Sequence, residues 1–339
     1  MEKYINQTAF DGGVAGNVNP TRIRLDADGI ASGQTFLLSE LEKRELDIKK
    51  PLTSITYPRD IKVNVGGGWV DTISAVAVEY GATDDGEGSI TATNSDGVPA
   101  VNVNFNKGQF KAHPFMRSLR IGWIDMQRAN QIGRSIDQAL RDGVRLVYDK
   151  HMDKNVYQGF ALYGTTGLIN NSDVAVTNAT TGVGGGTTFA SKTPDEILAD
   201  INNAINTVWA ACDYDEDAIP NHILIPNKDY ALLVNRKVSD IGDKSVLTYL
   251  MENNIAKAKG IDLRIEGCKW CDEAGVGSTD RMIVYVNKER FLSVDELQPL
   301  SMVMTTPNAK FASYDTLYSA NIGEVKLYYT QTVLYVDGI

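Results

Sequence analysis

Cys268 and Cys271, separated by Lys269 and Trp270, are the residues whose types and spacing most invite chemistry. Two thiols in a C-x-x-C can cycle between dithiol and disulfide or supply half of a zinc site. A structural zinc needs two further ligands at compatible spacing, and Cys212, His113, His151 and His222 offer none. A thioredoxin-like dithiol opens a helix after a strand, whereas Asp272-Glu273-Ala274-Gly275 follow this pair. Asp213-Tyr214-Asp215-Glu216-Asp217 starts like a calcium loop. Ala218 then stands where glycine makes the turn, and Leu224 where a bidentate Glu is required. Asp84, Asp85 and Glu87 could gather a cation weakly, but a charged hairpin tip accounts for them better. The glycine tracts at 66–68 and 182–186 lack the Lys-Ser/Thr of a phosphate loop. No G-x-S-x-G elbow presents a serine, and His151 falls on an apolar helical stripe as a core histidine would. These residues make no positive case for catalysis and imply neither cofactor nor metal.

Composition narrows the classes further. The 339 residues carry 33 Lys+Arg against 43 Asp+Glu, a formal net charge of −10. Free nucleic-acid binding needs a basic surface, so this role is disfavoured. Residence beside packaged DNA is compatible, because an acidic lining does not adhere to phosphates. Three cysteines and no secretory apolar region after Met1 point to synthesis in a reducing cytoplasm. Apolar runs such as residues 73–78 fall far short of the ~20 residues that span a bilayer, so no membrane role is indicated.

The elements that would position these residues follow from periodicity. Residues 1 to about 33 are rich in Gly, Asn and Asp and predict an arm ordered by its neighbours. Leu37, Leu38 and Leu41 predict a short helix, and Pro51 and Pro58 are expected to end any helix there. Alternation at Ile61, Val63 and Val65, the β-rich run 73–78, and alternation again at Val101, Val103 and Phe105 predict two strands. Between them lies a polar tip containing Gly81, Asp84, Asp85 and Glu87. A lone two-stranded ribbon is marginal in water, so it should pack on another surface, here another subunit.

A short helix at about 125–131 precedes a long one from Ile136 to about Tyr157, with Ser135 and Gln138 as a capping box. Ile136, Leu140, Val144, Val147 and His151 form its expected apolar stripe. Thr193, Pro194 and Glu196 make the clearest helix start in the chain. Beyond it the pattern predicts strands at 222–225, 263–265, 282–286, 300–304 and 325–335, with helices from Asn227 and from Ser245 to Lys257. The fold class is α+β.

The long helix runs without proline into Gly159-Phe160-Ala161-Leu162-Tyr163-Gly164-Thr165-Thr166-Gly167-Leu168-Ile169-Asn170. This junction resembles the spine helix and following loop of major capsid proteins of tailed double-stranded DNA phages. Their fold, shared with encapsulins, is the Hong Kong 97 type. The segments 97–103, 121–129 and 333–339 resemble an extended-loop strand, the strand and helix before the spine, and the usual chain end. The resemblance implies an N-terminal arm at 1–59, an extended β-loop at 60–112, a peripheral domain from 113–192 and 300–339, and an axial domain at 193–299. It implies assembly roles for Gly81, Asp84, Asp85 and Glu87 at the loop tip, for Ile136, Leu140, Val144 and Val147 on the spine, and for Gly164, Gly167, Leu168 and Asn170 after it. Expected partners are further copies in hexamers and pentamers, packaged double-stranded DNA without sequence-specific contacts, a portal, and a separate scaffolding protein. That last expectation rests on the short segment before the first helix. Other readings stay open at this stage: a compartment shell with protein cargo, a redox or metal protein using the C-x-x-C, and a host-binding or decoration protein.

Overall fold

A computed structural model describes residues 53–82, 101–132, 136–239 and 244–339. The loop-tip residues Asp84, Asp85 and Glu87, and the cap residue Ser135, lie outside the described residues. Pro58 does not end a helix but stands in the first turn of α1 (Tyr57–Asp60), where its missing N–H costs nothing. After β1 (Val63–Val65) come the two ribbon strands, β2 (Thr72–Ala82) and β3 (Val101–Gly122). They pair antiparallel from Thr72 opposite Lys111 to Ala82 opposite Val101, so Gly81 sits in the ribbon opposite Asn102.

The alternation at 101–105 marks only the start of β3, which runs for 22 residues, about 70 Å at ~3.3 Å per residue. Its second half, Ala112 to Gly122, leaves β2 and pairs with β9 (Ser313–Leu327). The first sheet is completed by β8 (Leu292–Asn308), in the order β1-β8-β9-β3-β2. The ribbon is therefore a cantilever of that sheet.

The second sheet has the order β4-β10-β7-β5-β6. Its strands are β4 (Ala175–Asn178), β5 (His222–Ile225), β6 (Arg264–Gly267), β7 (Arg281–Tyr285) and β10 (Val333–Asp337). Strands β5, β7 and β10 are buried along their whole length, as continuous apolar runs flanked on both faces should be. One face, with Ile223, Met282, Val284 and Leu334, packs against Ile197, Ile201, Ile205 and Val208 of α4 (Pro194–Ala211). The other, with Leu224, Ile283, Tyr285 and Tyr335, packs against Tyr148, Met152, Val156 and Tyr157 of the spine, α3 (Ile136–Gln158). A helix α2 (Trp123–Ile132) precedes the spine. Thr193 and Glu196 form the expected reciprocal capping box on α4.

Three expectations are corrected. The strand predicted at 325–335 is two strands: β9 ends at Leu327, a 3-10 turn (Thr330–Thr332) intervenes, and β10 joins the other sheet. The final strand thus lies between β4, from the segment after the spine, and β7, from within 193–299. The helix predicted at 245–257 breaks into α6 (Val246–Glu252) and α7 (Ile255–Ala258), after α5 (Asn227–Asn235). Asn254 causes the break: it donates to the Leu250 and Met251 carbonyls (2.9 Å each) and accepts from Lys257 N (2.7 Å), capping both pieces. Lastly, Val147 is 42% exposed and His151 is exposed. The buried stripe continues from the half-buried Leu140 and Val144 to Tyr148, Met152 and Val156. Tyrosines 148 and 157 supply the inward face because each phenol finds a carboxylate acceptor, Glu296 and Asp60 respectively.

Candidate functional site

Where α3 ends, Gly159 N closes the last turn on Asn155 O (2.8 Å) and the chain reverses through a 3-10 turn at Ala161–Tyr163. Gly164 ends that turn in the left-handed region, φ 66°. The chain then runs back against the helix it has just left. Leu168 N donates to Val156 O (2.9 Å) and Ile169 N to Tyr157 O (3.0 Å). Asn170 clamps the reversal, accepting from Gly167 N (2.7 Å) and donating to Gln158 O (2.9 Å). Gly167 passes so close that a Cβ there would lie 2.4 Å from the Tyr157 carbonyl. All four post-spine residues singled out from sequence therefore meet in one tight junction. Leu168 and Ile169 are buried beneath it, and Leu162 projects outward, 88% exposed. Ile136 is the first residue of the spine, far along the helix from this end.

Charged groups that sequence reasoning missed hold the junction to the second sheet. Arg281 forms a bidentate pair with Asp337 (2.7 and 2.9 Å), donates to Ile169 O (2.7 Å), and lies over the Tyr335 ring. Tyr335 in turn donates to Leu168 O (2.6 Å). Burial would raise the Asp337 carboxyl, but Arg281 and the Val276 amide outweigh it and hold it below its usual range. The available sequence signal was opposite charges at the ends of two apolar strands, Arg281 before 282–286 and Asp337 after 333–336.

A second buried network fixes the chain at the foot of the ribbon. Asp153 of the spine is buried and accepts from Thr56 N (2.8 Å), Tyr57 N (3.2 Å) and Trp270 Nε1 (2.9 Å). Lys269 Nζ lies 2.8 Å from its other face. Asp60 is fully buried, takes Arg59 in two hydrogen bonds (2.6 and 2.9 Å) and accepts from the Tyr157 hydroxyl. His222 Nε2 stands 3.6 Å away. Burial would raise the Asp60 carboxyl; His222, Arg59 and Tyr157 together keep it low. Spine, ribbon root and the 266–271 turn are thus tied together by ion pairs and hydrogen bonds rather than by packing alone.

The ribbon itself shows an apolar face. Val78 stands directly opposite Phe105, with Val76 and Val103 two residues along on the same side. They are 41%, 74%, 64% and 45% exposed respectively. The groove beside the junction, lined by His113, Phe115, His151, Phe160 and Tyr163, gathers no carboxylates or nucleophiles around a common point. Among the described residues no group of three or more His, Cys, Asp or Glu is placed to hold a metal ion, and no helix is long and apolar enough to cross a membrane.

One carboxylate is badly placed. Asp229 is 8% exposed and its Oδ2 has no hydrogen-bond partner. Burial, reinforced by Asp280, pushes its pKa up to about 6, against the pull of Lys228. The folded chain therefore binds this proton more tightly than the unfolded chain, and stability falls as pH rises from about 4 through 6. Asp229→Asn is expected to stabilise the protein at pH 7 by about 1–3 kcal/mol and to leave little difference at pH 4. Melting curves of both proteins across that range check it.

This architecture is that of a capsid subunit. It is similar to the capsid of Myoviridae phage XM1, with TM-score 0.73 and 15% identity over 89% of this chain and 98% of that one. It is also similar to Microbacterium phage Oxtober96 (TM-score 0.57, 16% identity, 90% and 97% covered) and to the virus-like particle from Pyrococcus furiosus (0.51, 14%, 82% and 91%). Residues 86–339 match the family model described as major capsid protein. The chain belongs to the major capsid protein family, and its role is structural. Curated protein sequences contain no match.

Proposed function

We propose that this chain assembles through hexamers and pentamers into an icosahedral shell that encloses double-stranded DNA in a phage virion. The observation that carries the reading is the exposed apolar face of the ribbon, Val76, Val78, Val103 and Phe105, which the chain's own core leaves uncovered. A cantilevered ribbon with such a face is stable only against another subunit. Repeated heterologous contacts of that kind close into rings. Under this reading residues 60–112 form the extended loop, the spine and first sheet the peripheral region, and residues 193–299 the axial domain at capsomer centres. The junction residues Gly164, Gly167, Leu168 and Asn170 serve assembly by holding the spine rigid, and the tip residues Gly81, Asp84, Asp85 and Glu87 by reaching a neighbour. The net charge of −10 suits an inner wall that does not bind DNA tightly. A portal and a separate scaffolding protein complete the proposed assembly, which takes place in the bacterial cytoplasm.

Phe105→Asp tests the reading. The side chain is 74% exposed in the single chain, so the unassembled subunit should melt within about 0.5 kcal/mol of wild type. Each interface would acquire a buried carboxylate, and the yield of closed particles should fall by about tenfold or more. Wild-type particle yield by sedimentation would remove the ribbon face from the assembly contacts.

A further inference from the structure

Cys268 and Cys271 play no part in the shell reading, and we propose that they are the site of an intramolecular disulfide, formed when the protein meets a peroxide. Cys268 N is fixed to Ile225 O (2.8 Å) at the end of β6. Cys271 N then donates to Cys268 O (3.4 Å), closing a four-residue turn around the 3-10 segment Lys269–Cys271. The end Cα atoms of such a turn lie within about 7 Å, and disulfides join Cα atoms roughly 4.4–6.8 Å apart. Both thiols are free and fully buried. The neighbouring Cys271 thiol lowers Cys268 against the effect of burial, while Cys268 and burial push Cys271 up. Cys268 is therefore the attacking sulfur and Cys271 the resolving one. Cys212 packs in a separate cluster beside Val286 and Phe291 and is no competitor.

The chemistry balances with hydrogen peroxide as oxidant. The Cys268 thiolate attacks one peroxide oxygen, forming S–O, breaking O–O and releasing hydroxide, which takes up the proton that Cys268 lost. Cys271 sulfur then attacks the sulfenic acid; S–S forms, S–O breaks, and the Cys271 proton leaves with that oxygen as water. Two thiols and one peroxide give one disulfide and two waters. The bond would lock the turn whose Lys269 and Trp270 hold Asp153 of the spine and whose neighbour, Gly267 O, accepts from Arg59 (3.0 Å). Oxidation after release from a reducing cytoplasm would thus rigidify the clamp between spine and ribbon root.

The test uses the full chain, reduced, desalted, exposed to hydrogen peroxide, then denatured in iodoacetamide and mapped by mass spectrometry. The peptide carrying both cysteines should lose two hydrogens and take no label, while Cys212 is alkylated. The oxidised protein should melt about 2–6 °C above the reduced form. In Cys271→Ser, dimedone should trap a sulfenic acid on Cys268; in Cys268→Ser, Cys271 should resist the same dose. The wild-type map decides the matter even where a variant fails to fold. Full labelling of both cysteines after peroxide, a sulfonic acid on Cys268, or a bridge to Cys212 or another chain would overturn the proposal.

Discussion

Gly167→Ala is expected to lower the melting temperature by about 10 °C or more, or to leave the chain insoluble. The added Cβ would sit 2.4 Å from both the carbon and the oxygen of the Tyr157 carbonyl, far inside contact distance, and backbone cannot rotate away as a side chain can. Relief requires lifting the 167–170 segment off the spine. That breaks the Leu168–Val156 and Ile169–Tyr157 hydrogen bonds and exposes two residues now 3% accessible. Gly164→Ala is the internal control. Nothing lies within 4 Å of a Cβ at that position, so only the left-handed φ is penalised, about 1 kcal/mol. Differential scanning calorimetry of the two variants should rank them clearly. Equal effects would mean that the close approach is not what the glycine serves.

Arg281→Met is expected to cost about 3–5 kcal/mol, because it strands Asp337 as a buried charge and removes the donor to Ile169 O. Asp337 has side-chain exposure of 2%, and the Val276 amide is left as its main partner. Adding Asp337→Asn to Arg281→Met should recover part of the loss, so the double variant is more stable than the sum of the singles. The low carboxyl of Asp337 also fixes a sign. Its contribution is present above the unfolded carboxylate pKa, about 3.9, and is lost as pH falls through the folded value. Wild type should accordingly lose more stability between pH 5 and pH 3 than the double variant. Chemical denaturation at several pH values measures both effects, and strict additivity would contradict the assigned pairing.

Local rules made much of this legible in the sequence. The α4 start, Thr193-Pro194-x-Glu196, forms as its chemistry requires. The glycines at 159, 164 and 167 mark the reversal, and the ordered segments along the chain carried the family resemblance. What escaped prediction depends on partners remote in sequence. Tyr148 and Tyr157 face inward because Glu296 and Asp60, 148 and 97 residues away, accept their hydroxyls. Asp153 is buried because backbone amides at 56 and 57 and the Trp270 indole meet it. The break between β9 and β10 is invisible to propensity, since both sides are β-branched and aromatic. Two different sheets claim them. The tip residues Asp84, Asp85 and Glu87, lying outside the described residues, keep their assembly role as a proposal.

Electron microscopy of the full-length chain, expressed alone and fractionated by sedimentation, tests the shell reading most directly. Fast-sedimenting closed particles are expected, or flower-shaped rings of five and six subunits, whose walls fit this fold with each ribbon lying on a neighbour. A homogeneous monomer or small dimer at every concentration and salt condition tried, with the scaffolding protein supplied as well as without it, would contradict that reading.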